Sequence, residues 1–331
     1  MTILVTGATG FACINIIRML AAEGEKVVGF DLVPPGPEVE QFLRGLENRV
    51  TFVEGDVSDM PALLDLALKH DVRRIVHGAA ITPSRAVEQS VPHKIVSVNL
   101  MGTVNLLEVA RQIHADRFVF VSSSGVYGPP KDRTAPVLED SSLQLDRFYA
   151  ICKYSCELLL KRYKSLFGLS TVSGRMAAIY GPMERVTASR GNPSIVYHLV
   201  RALKNGKKIR ARGVEFVQDV THVDDACTIW KHLTFGASFR YDEYNVSAGI
   251  AYSLGTVLDT LKQLAPEFDY VCVGPGEDVD VEIAPIWERG ALDMSRASSE
   301  FGFAPRYDLK RGLESYLAWA RDYPTLFPPY Q

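Results

Sequence analysis

Tyr149 and Lys153 stand four positions apart in a segment of helix-like sequence, and their side chains suit proton transfer. On an α-helix, residues i and i+4 share a face, so the phenol and the ammonium would point into the same space. An ammonium next to a phenol stabilises the phenolate form. Such a tyrosine can act as an acid or base near neutral pH, as the interconversion of an alcohol and a ketone requires.

The same spacing occurs a second time, at Tyr127 and Lys131, where the sequence argues against a shared face. Two consecutive prolines separate these residues and exclude a regular helix. Tyr149 and Lys153, in contrast, precede a leucine-rich segment with no proline. The sequence therefore selects Tyr149 and Lys153 as the candidate pair for proton transfer.

The composition is that of a soluble chain: of 331 residues, 47% are hydrophobic and 23% are charged, with a net charge of −3. This charge favours neither nucleic acid nor an anionic membrane as a partner. No apolar run reaches the length of about 18 residues that a membrane helix needs, and the chain opens on a buried-strand pattern rather than a leader. Five cysteines without CxxC spacing indicate a reducing, cytoplasmic location and no metal site.

Short β-branched runs alternate with longer helical patterns through the first half of the chain. This alternation predicts βαβ units, with helices wound onto both faces of a parallel sheet. The predicted strands are 3–6, 26–30, 50–53, 74–77, 118–122 and 171–175. The predicted helices of this half are 11–23, 60–69, 91–113 and 148–167.

After about residue 175 the pattern loosens, and helices are predicted at 193–204, 224–233, 254–264 and 309–320. The sequence thus predicts an α/β fold with a doubly wound parallel sheet of Rossmann type. We expect an NAD-binding domain over residues 1–175 and a smaller, irregular α/β substrate-binding lobe over 176–331. Some of the second part, around 220–247, is expected to return to the first domain.

A glycine-containing loop follows the first strand and precedes a helix, which is the order expected for dinucleotide binding. In this loop Gly7 permits a tight turn and Gly10 lets the main chain approach a diphosphate at the helix N-terminus. Asp31 ends the second strand about 20 residues later, where a carboxylate can bind ribose hydroxyls and repel a 2′-phosphate. NAD is therefore predicted rather than NADP; the alternative is that Asp31 only starts a turn.

The chain resembles the extended short-chain dehydrogenases/reductases of the NAD-dependent epimerase/dehydratase family over nearly its whole length. The resemblance rests on the order of short motifs: Thr6 to Gly10, Asp31, Gly55-Asp56-Val57, His77 to Ala80, Asn99, Gly102-Thr103, Ser122 to Ser124, Val126-Tyr127-Gly128, Tyr149, Lys153, Arg175, Tyr180-Gly181-Pro182 and Val223-Asp224-Asp225.

The resemblance implies that Ser123 hydrogen-bonds the reacting oxygen, Tyr149 moves its proton, and Lys153 binds the nicotinamide ribose. It also implies a set of NAD contacts: Gly7, Gly10, Phe11, Ala12, Asp31, Asp56, Val57, Ala79, Ala80, Asn99, Tyr149 and Lys153. Structural alternatives stay open at several positions. Asn99 would then only brace a loop, Asp56 would cap a turn, and His77 would serve packing.

Three departures from the family pattern bear on cofactor and substrate. Cys13 replaces the usual third glycine, which predicts a slightly wider spacing between the first helix and strand. Gln218 stands where an arginine is common, and Ala178 where an asparagine is common. These two changes remove polar contacts to a nucleoside-diphosphate sugar, each worth about 1–3 kcal/mol.

Substrate contacts are expected from a polar loop at 183–190 and from the strand ends. The predicted substrate residues are Thr82, Ser84, Ser124, Glu184 and Arg190, and the alternative for the loop is a solvated lid. Arg210, Arg212 and Arg289 are candidates to replace the missing cation. The basic cluster at 201–212 is otherwise interpreted as solvated surface rather than as a phosphate site.

The dehydratases of the family carry an Asp-Glu pair where this chain has Ser124 and Gly125, which argues against 4,6-dehydration. The first hypothesis is an NAD-dependent dehydrogenase of a sugar, a sugar acid or a similar polyhydroxy substrate. The alternatives are a nucleotide-sugar epimerase and a catalytically silent NAD-sensing regulator. A homodimer is expected, because the predicted helices 91–113 and 148–167 carry apolar residues on more than one face.

Overall fold

The computed structural model describes residues 1–129, 132–133, 135–187, 190–285 and 288–330. Its strands, numbered along the chain, are β1 (Thr2–Thr6), β2 (Lys26–Asp31), β3 (Val50–Glu54), β4 (Val72–His77), β5 (Arg117–Ser123), β6 (Thr171–Met176), β7 (Ala178–Tyr180), β8 (Ile209–Arg212), β9 (Val217–His222), β10 (Glu243–Val246), β11 (Ala251–Ser253), β12 (Tyr270–Cys272) and β13 (Val281–Glu282).

The helices alternate with these strands as the sequence predicts. They are α1 (Phe11–Ala22), α2 (Pro37–Phe42), α3 (Met60–Lys69), α4 (Arg85–Ser90), α5 (Pro92–Val96), α6 (Gly102–Gln112), α7 (Phe148–Phe167), α8 (Ile195–Lys204), α9 (Val223–Phe235), α10 (Leu254–Leu264), α11 (Ser295–Phe301) and α12 (Leu309–Asp322). A π-helical turn, Ser97–Met101, joins α5 to α6 in one continuous helix.

The central sheet has seven parallel strands in the order β10-β6-β5-β4-β1-β2-β3. Helices α1 and α9 pack together on one face, while α3, α6 and α7 cover the other. Both faces of the strands are therefore buried, which explains their continuous apolar runs. The predicted doubly wound parallel sheet is confirmed.

The strand order reverses between β1 and β4, because the chain builds outward from β1 to β3 and then crosses back to β4. Ligands of open α/β sheets bind in the crevice at the carboxyl ends of the strands at such a point. The loops that follow β1 and β4 border this crevice.

The C-terminal half contributes both to the central sheet and to smaller sheets. Strand β10 pairs with β6, and α9 packs against α1, β5 and β6. Strands β11, β9 and β7 form a second sheet, and β12, β8 and β13 form a third. In the described ranges, no helix is long and apolar enough to cross a membrane.

The differences from the predicted elements are short segments. The sequence analysis did not predict helices α2, α4 and α11, strand β10 of the central sheet, or the short strands of the smaller sheets. These elements have few residues, so periodicity within them is weak and their conformation depends on what they pack against.

Candidate active site

The loop between β1 and α1 brings the main chain against the loop that follows β4. Gly7 has a φ of +69°, and a methyl group on its Cα would lie 2.8 Å from the Cα of Ala79. Only glycine fits this conformation and this close approach. Helix α1 begins at Phe11, and its N-cap, Gly10, supplies no side-chain cap. The first N–H groups of α1, which include that of Ala12, lack such a cap and suit a diphosphate.

Cys13, at the third position of the glycine motif, is accommodated by a glycine opposite it. The thiol is buried, and a methyl group on Gly78 would overlap its Sγ atom. Helix α1 packs closely here because residue 78 has no side chain. Burial, with a contribution from Asp31, raises the pKa of the Cys13 thiol to about 12. The thiol is therefore not a nucleophile at neutral pH.

Asp31 lies at the carboxyl end of β2 and faces the glycine loop. Its Oδ2 atom accepts hydrogen bonds from the main-chain N–H and the hydroxyl of Thr9, both at 2.9 Å. Its Oδ1 atom accepts a longer one, 3.3 Å, from the N–H of Val33. A carboxylate oriented in this way retains acceptor capacity for a ribose hydroxyl. With the close-packed Gly7 and the uncapped α1, these residues fit a dinucleotide.

The residues expected near the adenine have structural contacts of their own. Asp56 Oδ1 accepts a hydrogen bond from the N–H of Ser58 at 2.8 Å and so caps a turn. Val57 is buried against Gly102, where an added methyl group would lie 2.6 Å from its Cγ2. A glycine at residue 102 thus lets α6 approach the loop that carries Val57.

Asn99 occupies the π-helical turn between α5 and α6, a type of turn that is frequent at functional sites. Its Oδ1 accepts a hydrogen bond from the N–H of Ile81 at 2.7 Å, and its Nδ2 donates to the Ile81 carbonyl at 2.9 Å. Both amide atoms therefore hold the loop that carries Ala79 and Ala80. Of the two roles expected for Asn99, contact with NAD and bracing of a loop, this geometry favours the second.

His77 is a neutral structural group at the end of β4. The Thr103 hydroxyl donates to the Asn99 carbonyl at 3.0 Å, so it accepts from Nε2 of His77 at 2.9 Å. The hydroxyl of Thr6 then donates to Nδ1 at 2.7 Å. Burial, and secondarily the nearby Lys153, lowers the pKa of His77 to about 3. Packing rather than catalysis is the role that these contacts support.

Three consecutive serines at the end of β5 have three different environments. Ser122 is buried and its hydroxyl donates to Glu157 at 2.6 Å. Ser124 is also buried, and Arg289 donates to its carbonyl at 2.7 Å and to its hydroxyl at 2.9 Å. Ser123 is half-buried, and its Oγ accepts from the N–H of Gly125 at 3.0 Å. Since Oγ accepts this bond, its proton remains available to another acceptor.

Tyr149 and Lys153 lie on the first turns of α7, beside Ser123. The Lys153 ammonium is 5.7 Å from the centroid of the Tyr149 ring and donates to the Val121 carbonyl at 2.6 Å. A methyl group on Gly125 would lie 3.2 Å from Ser123 Oγ and 4.0 Å from Tyr149 Cε1. The structure therefore brings together the serine, the tyrosine and the lysine that the sequence selected.

The other tyrosine of the repeated spacing, Tyr127, is a core residue. It is buried, its hydroxyl donates to Asn245 Oδ1 at 2.7 Å, and burial raises its pKa. Lys131 lies outside the described residues. Tyr127 is therefore unsuited to exchange protons with a substrate.

A buried ion pair behind the serines was missed by the sequence analysis. The guanidinium of Arg175, from β6, donates to both carboxylate oxygens of Glu157, with the shortest contact at 2.7 Å. Their side chains are 4% and 0% exposed. The pair ties α7, which carries Tyr149 and Lys153, to the end of the central sheet.

A polar pocket of about 130 Å³ opens next to Gly125. The residues that line it come from the loop after β5, from the start of α7 and from the C-terminal half: Gly125, Gly128, Pro129, Arg147, Gln218, Glu288 and Arg289. Burial lowers the pKa of the Arg289 guanidinium, which still stays charged. Of the residues that line this pocket, the sequence analysis named Gly125, Gly128, Gln218 and Arg289 but did not name Arg147 or Glu288. These two lie 141 positions apart in the sequence, so no local pattern shows that both line the same pocket.

The five predicted substrate residues lie in different environments. Ser84 caps α4 by accepting from the N–H of Val87 at 3.3 Å, which gives it a structural role. Glu184 is fully buried and accepts from the N–H and hydroxyl of Ser194 at 2.6 and 2.7 Å. Burial raises its pKa. Thr82, in the loop that follows β4, forms a parallel β-bridge with Arg190.

Ser124, the fifth of these residues, orients Arg289 through the contacts given above. Arg210 and Arg212, named as possible replacements for the missing cation, are ion-paired instead. Arg210 contacts Asp278 and Asp280, both at 3.1 Å, and Arg212 contacts Glu282 at 2.9 Å. The basic cluster is therefore largely neutralised by carboxylates, as the surface interpretation expects, and Arg289 is the candidate that reaches the pocket.

Comparison with known proteins relates this geometry to a family. The chain matches the profile of the NAD dependent epimerase/dehydratase family over residues 3–247. UDP-glucuronate 4-epimerase 5 of Arabidopsis thaliana is 29% identical over 349 residues, which cover 96% of this chain and 75% of that protein. A putative UDP-glucose 4-epimerase of Methanocaldococcus jannaschii is 27% identical, with coverages of 97% and 98%.

Solved structures show the same fold. UDP-glucuronic acid 4-epimerase from Bacillus cereus, in complex with UDP-glucuronic acid and NAD, superposes with a TM-score of 0.77 at 25% identity. The alignment covers 98% of this chain and all of that one. UDP-glucose 4-epimerase from Thermotoga maritima has a TM-score of 0.81 at 24% identity. The chain is therefore an enzyme of the extended short-chain dehydrogenase/reductase type with NAD as its cofactor, and it belongs to the NAD-dependent epimerase/dehydratase family.

Proposed function

We propose that this enzyme moves a hydride between NAD and a secondary alcohol of a sugar, a sugar acid or a similar polyhydroxy compound. The observation that carries the proposal is the position of the polar pocket beside Ser123 and Tyr149. Arg147, Glu288 and Arg289 line this pocket. Their side chains can hydrogen-bond the hydroxyl groups or the carboxylate of a small polyhydroxy substrate.

The three residues beside the pocket have complementary parts in this reaction. Tyr149 is the acid/base that exchanges the proton of the substrate hydroxyl, with the Lys153 ammonium 5.7 Å from the centre of its ring. Ser123 donates its free O–H to the same substrate oxygen, because its lone pair already accepts the Gly125 N–H. NAD, when bound, accepts the hydride from the carbinol carbon or returns it.

Charge in the pocket favours a substrate that carries a carboxylate. Two guanidinium groups, Arg147 and Arg289, and one carboxylate, Glu288, line it, so positive charge is in excess. Guanidinium groups bind carboxylates through paired, charge-assisted hydrogen bonds. Ser124 holds the Arg289 guanidinium in place through two contacts, so little side-chain entropy is lost on binding. A sugar acid should therefore bind better than the neutral sugar of the same carbon skeleton.

Incubation with NAD and matched pairs of sugar acids and neutral sugars tests the proposal. We expect NADH to form, with a higher kcat/KM for the acid of at least one pair, as followed by absorbance. No NADH from any compound, together with interconversion of a UDP-sugar and its epimer, would overturn the dehydrogenase assignment.

The second candidate is a nucleotide-sugar epimerase, and the names of the relatives favour it. Four-epimerases of UDP-sugars align with nearly the entire chain. Arg289 is the cation that reaches the pocket. In this candidate it binds the diphosphate in place of the arginine that is common at the position of Gln218. This candidate predicts that NAD stays bound through purification and that no net NADH appears during turnover.

Replacing Ser123 and Ser124 one at a time by alanine distinguishes the role of the proposed catalytic serine from that of its neighbour. We expect Ser123→Ala to lower kcat by about 10²-fold or more, since it removes the donor to the reacting oxygen. Ser124→Ala should instead raise KM, because it loosens Arg289 without touching the reacting atoms. Steady-state kinetics on both variants gives the answer, and a larger kcat loss in the Ser124 variant would reverse the assignment.

We also propose that two copies of the chain pair through α5–α6 and α7. Large apolar side chains are exposed on these neighbouring helices: Met101 is 47% exposed, Phe148 40%, Ile151 42% and Leu158 49%. Burial of such residues against a second copy would remove them from water. Light scattering should give a dimer that Ile151→Glu dissociates; a monomeric parent protein would contradict the proposal.

A further inference from the structure

The described residues after β7, 181–187 and 190, contact both loops that border the crevice, and we call them the crossing segment. At one side Arg185 Nη2 donates to the carbonyl of Thr9 in the glycine loop at 2.6 Å. At the other side Arg190 forms a parallel β-bridge with Thr82, in the loop that follows β4. The two loops flank the point where the strand order reverses. The crossing segment therefore lies where a dinucleotide passes over the sheet.

The crossing segment is anchored at its base rather than free to move as a whole. Asn15, from α1, donates through Nδ2 to the Pro182 carbonyl at 2.9 Å. Glu184 is buried and bound to Ser194. Met183 is fully buried with a φ of +71°, a conformation that a residue with a side chain keeps only when its surroundings enforce it. These contacts fix residues 182–184 and so place Arg185, which follows them, against the glycine loop.

Arg185 differs from the other arginine of the segment in what it binds. Arg190 is ion-paired with Glu184 at 3.1 Å. The hydrogen bonds of Arg185 in the described part of the chain go to two carbonyls, those of Thr9 and of Met183 at 3.2 Å. A guanidinium has five N–H donors, so several remain for another acceptor. Burial lowers the pKa of Arg185, yet the group stays charged at neutral pH.

We propose that Arg185 binds the diphosphate of NAD together with the N-terminus of α1. The glycine loop offers main-chain N–H groups to this anion, and Arg185 supplies a full positive charge beside the same loop. Asp31 and Glu38 influence Arg185 electrostatically but are not hydrogen-bonded to it among the described contacts. The guanidinium is thus held next to Thr9 by neutral carbonyls, which leaves its charge for the cofactor.

Nucleotide binding by Arg185→Gln, measured calorimetrically and without substrate, tests the proposal. ADP carries a diphosphate and adenosine does not. We expect the Kd values of NAD and ADP to rise about tenfold or more, as for the loss of a charge-assisted hydrogen bond, while that of adenosine stays the same. Equal weakening of ADP and adenosine would show that Arg185 only shapes the loop, and unchanged ADP binding would also overturn the proposal.

Arg201→Gln is the matched control, because Arg201 also donates to two carbonyls, those of Pro328 and Pro329, both at 2.7 Å. Its ADP affinity should equal that of the parent protein. If Arg185→Gln does not fold, Arg185→Lys replaces it. The lysine keeps the charge and loses the planar fork, so ADP should bind about twofold to tenfold more weakly with adenosine unchanged. Here too, equal changes for both compounds, or none for ADP, would contradict the proposal.

Discussion

Tyr149→Phe is expected to lower kcat by two to four orders of magnitude, roughly the contribution of general acid–base catalysis. The phenylalanine ring occupies the same space beside Ser123 and the Lys153 ammonium but carries no proton to exchange. The Kd of NAD, measured by titration, should change little. The expected combination is therefore a fold that is intact, a cofactor that binds and a reaction that does not proceed.

Tyr163→Phe, on the same helix, is the control for this result. The hydroxyl of Tyr163 donates to Glu108 at 2.6 Å, and the residue lies near the other end of α7. Its loss should leave kcat within about twofold of the parent value, as for a surface change away from the site. If both variants kept full activity, the proton would have to be moved by a group other than Tyr149.

Glu157→Leu is expected to lower the free energy of unfolding by about 3–5 kcal/mol, since it leaves the charge of Arg175 buried without a partner. Both side chains of the pair are almost completely buried. The change also removes the acceptor of the Ser122 hydroxyl, at the strand end that presents Ser123. Urea unfolding, analysed by linear extrapolation, measures the loss.

Two further variants show whether the unpaired buried charge of Arg175 causes the expected loss of stability in Glu157→Leu. Asp116→Ala removes an exposed partner of Arg73, 3.0 Å away, and should lower the free energy of unfolding much less than Glu157→Leu does. Adding Arg175→Met to Glu157→Leu removes both buried charges and should recover much of the stability. Stability that falls further in the double variant would instead indicate that packing of these side chains dominates.

The buried pair also explains how residues from separate elements share one site. Ser123 ends β5, while Tyr149 and Lys153 belong to α7. The Glu157–Arg175 contact joins α7 to β6, which is the neighbour of β5 in the sheet. The distances between the serine and the tyrosine thus depend on a contact that takes no part in the proposed chemistry.

Local sequence was informative where a pattern repeats within one element. The predicted strands of the central sheet and the long helices that cover it are present. Short, continuous apolar runs identify strands that are buried on both faces, and longer periodic runs between them identify the helices. The glycine loop was predicted for the same kind of reason: its spacing encodes a turn, and Gly7 adopts a positive φ in the structure.

Burial and charge pairing were decided by the tertiary structure. Glu184 was expected in the substrate site as a polar loop residue, but Ser194 binds it in the interior. Cys13 was expected to widen the spacing of α1, but Gly78 receives its thiol. Neither partner is a neighbour in sequence, so no local pattern could reveal the contact.

The sequence by itself determined the parallel α/β architecture, the dinucleotide loop and the helical pair Tyr149/Lys153, because periodicity and motif spacing are properties of short stretches. Only the tertiary structure decided which of three serines is open to the site and which arginine enters the polar pocket. It also placed Arg185 against the glycine loop. These choices depend on burial and on hydrogen bonds between segments far apart along the chain, which form only when the elements pack together.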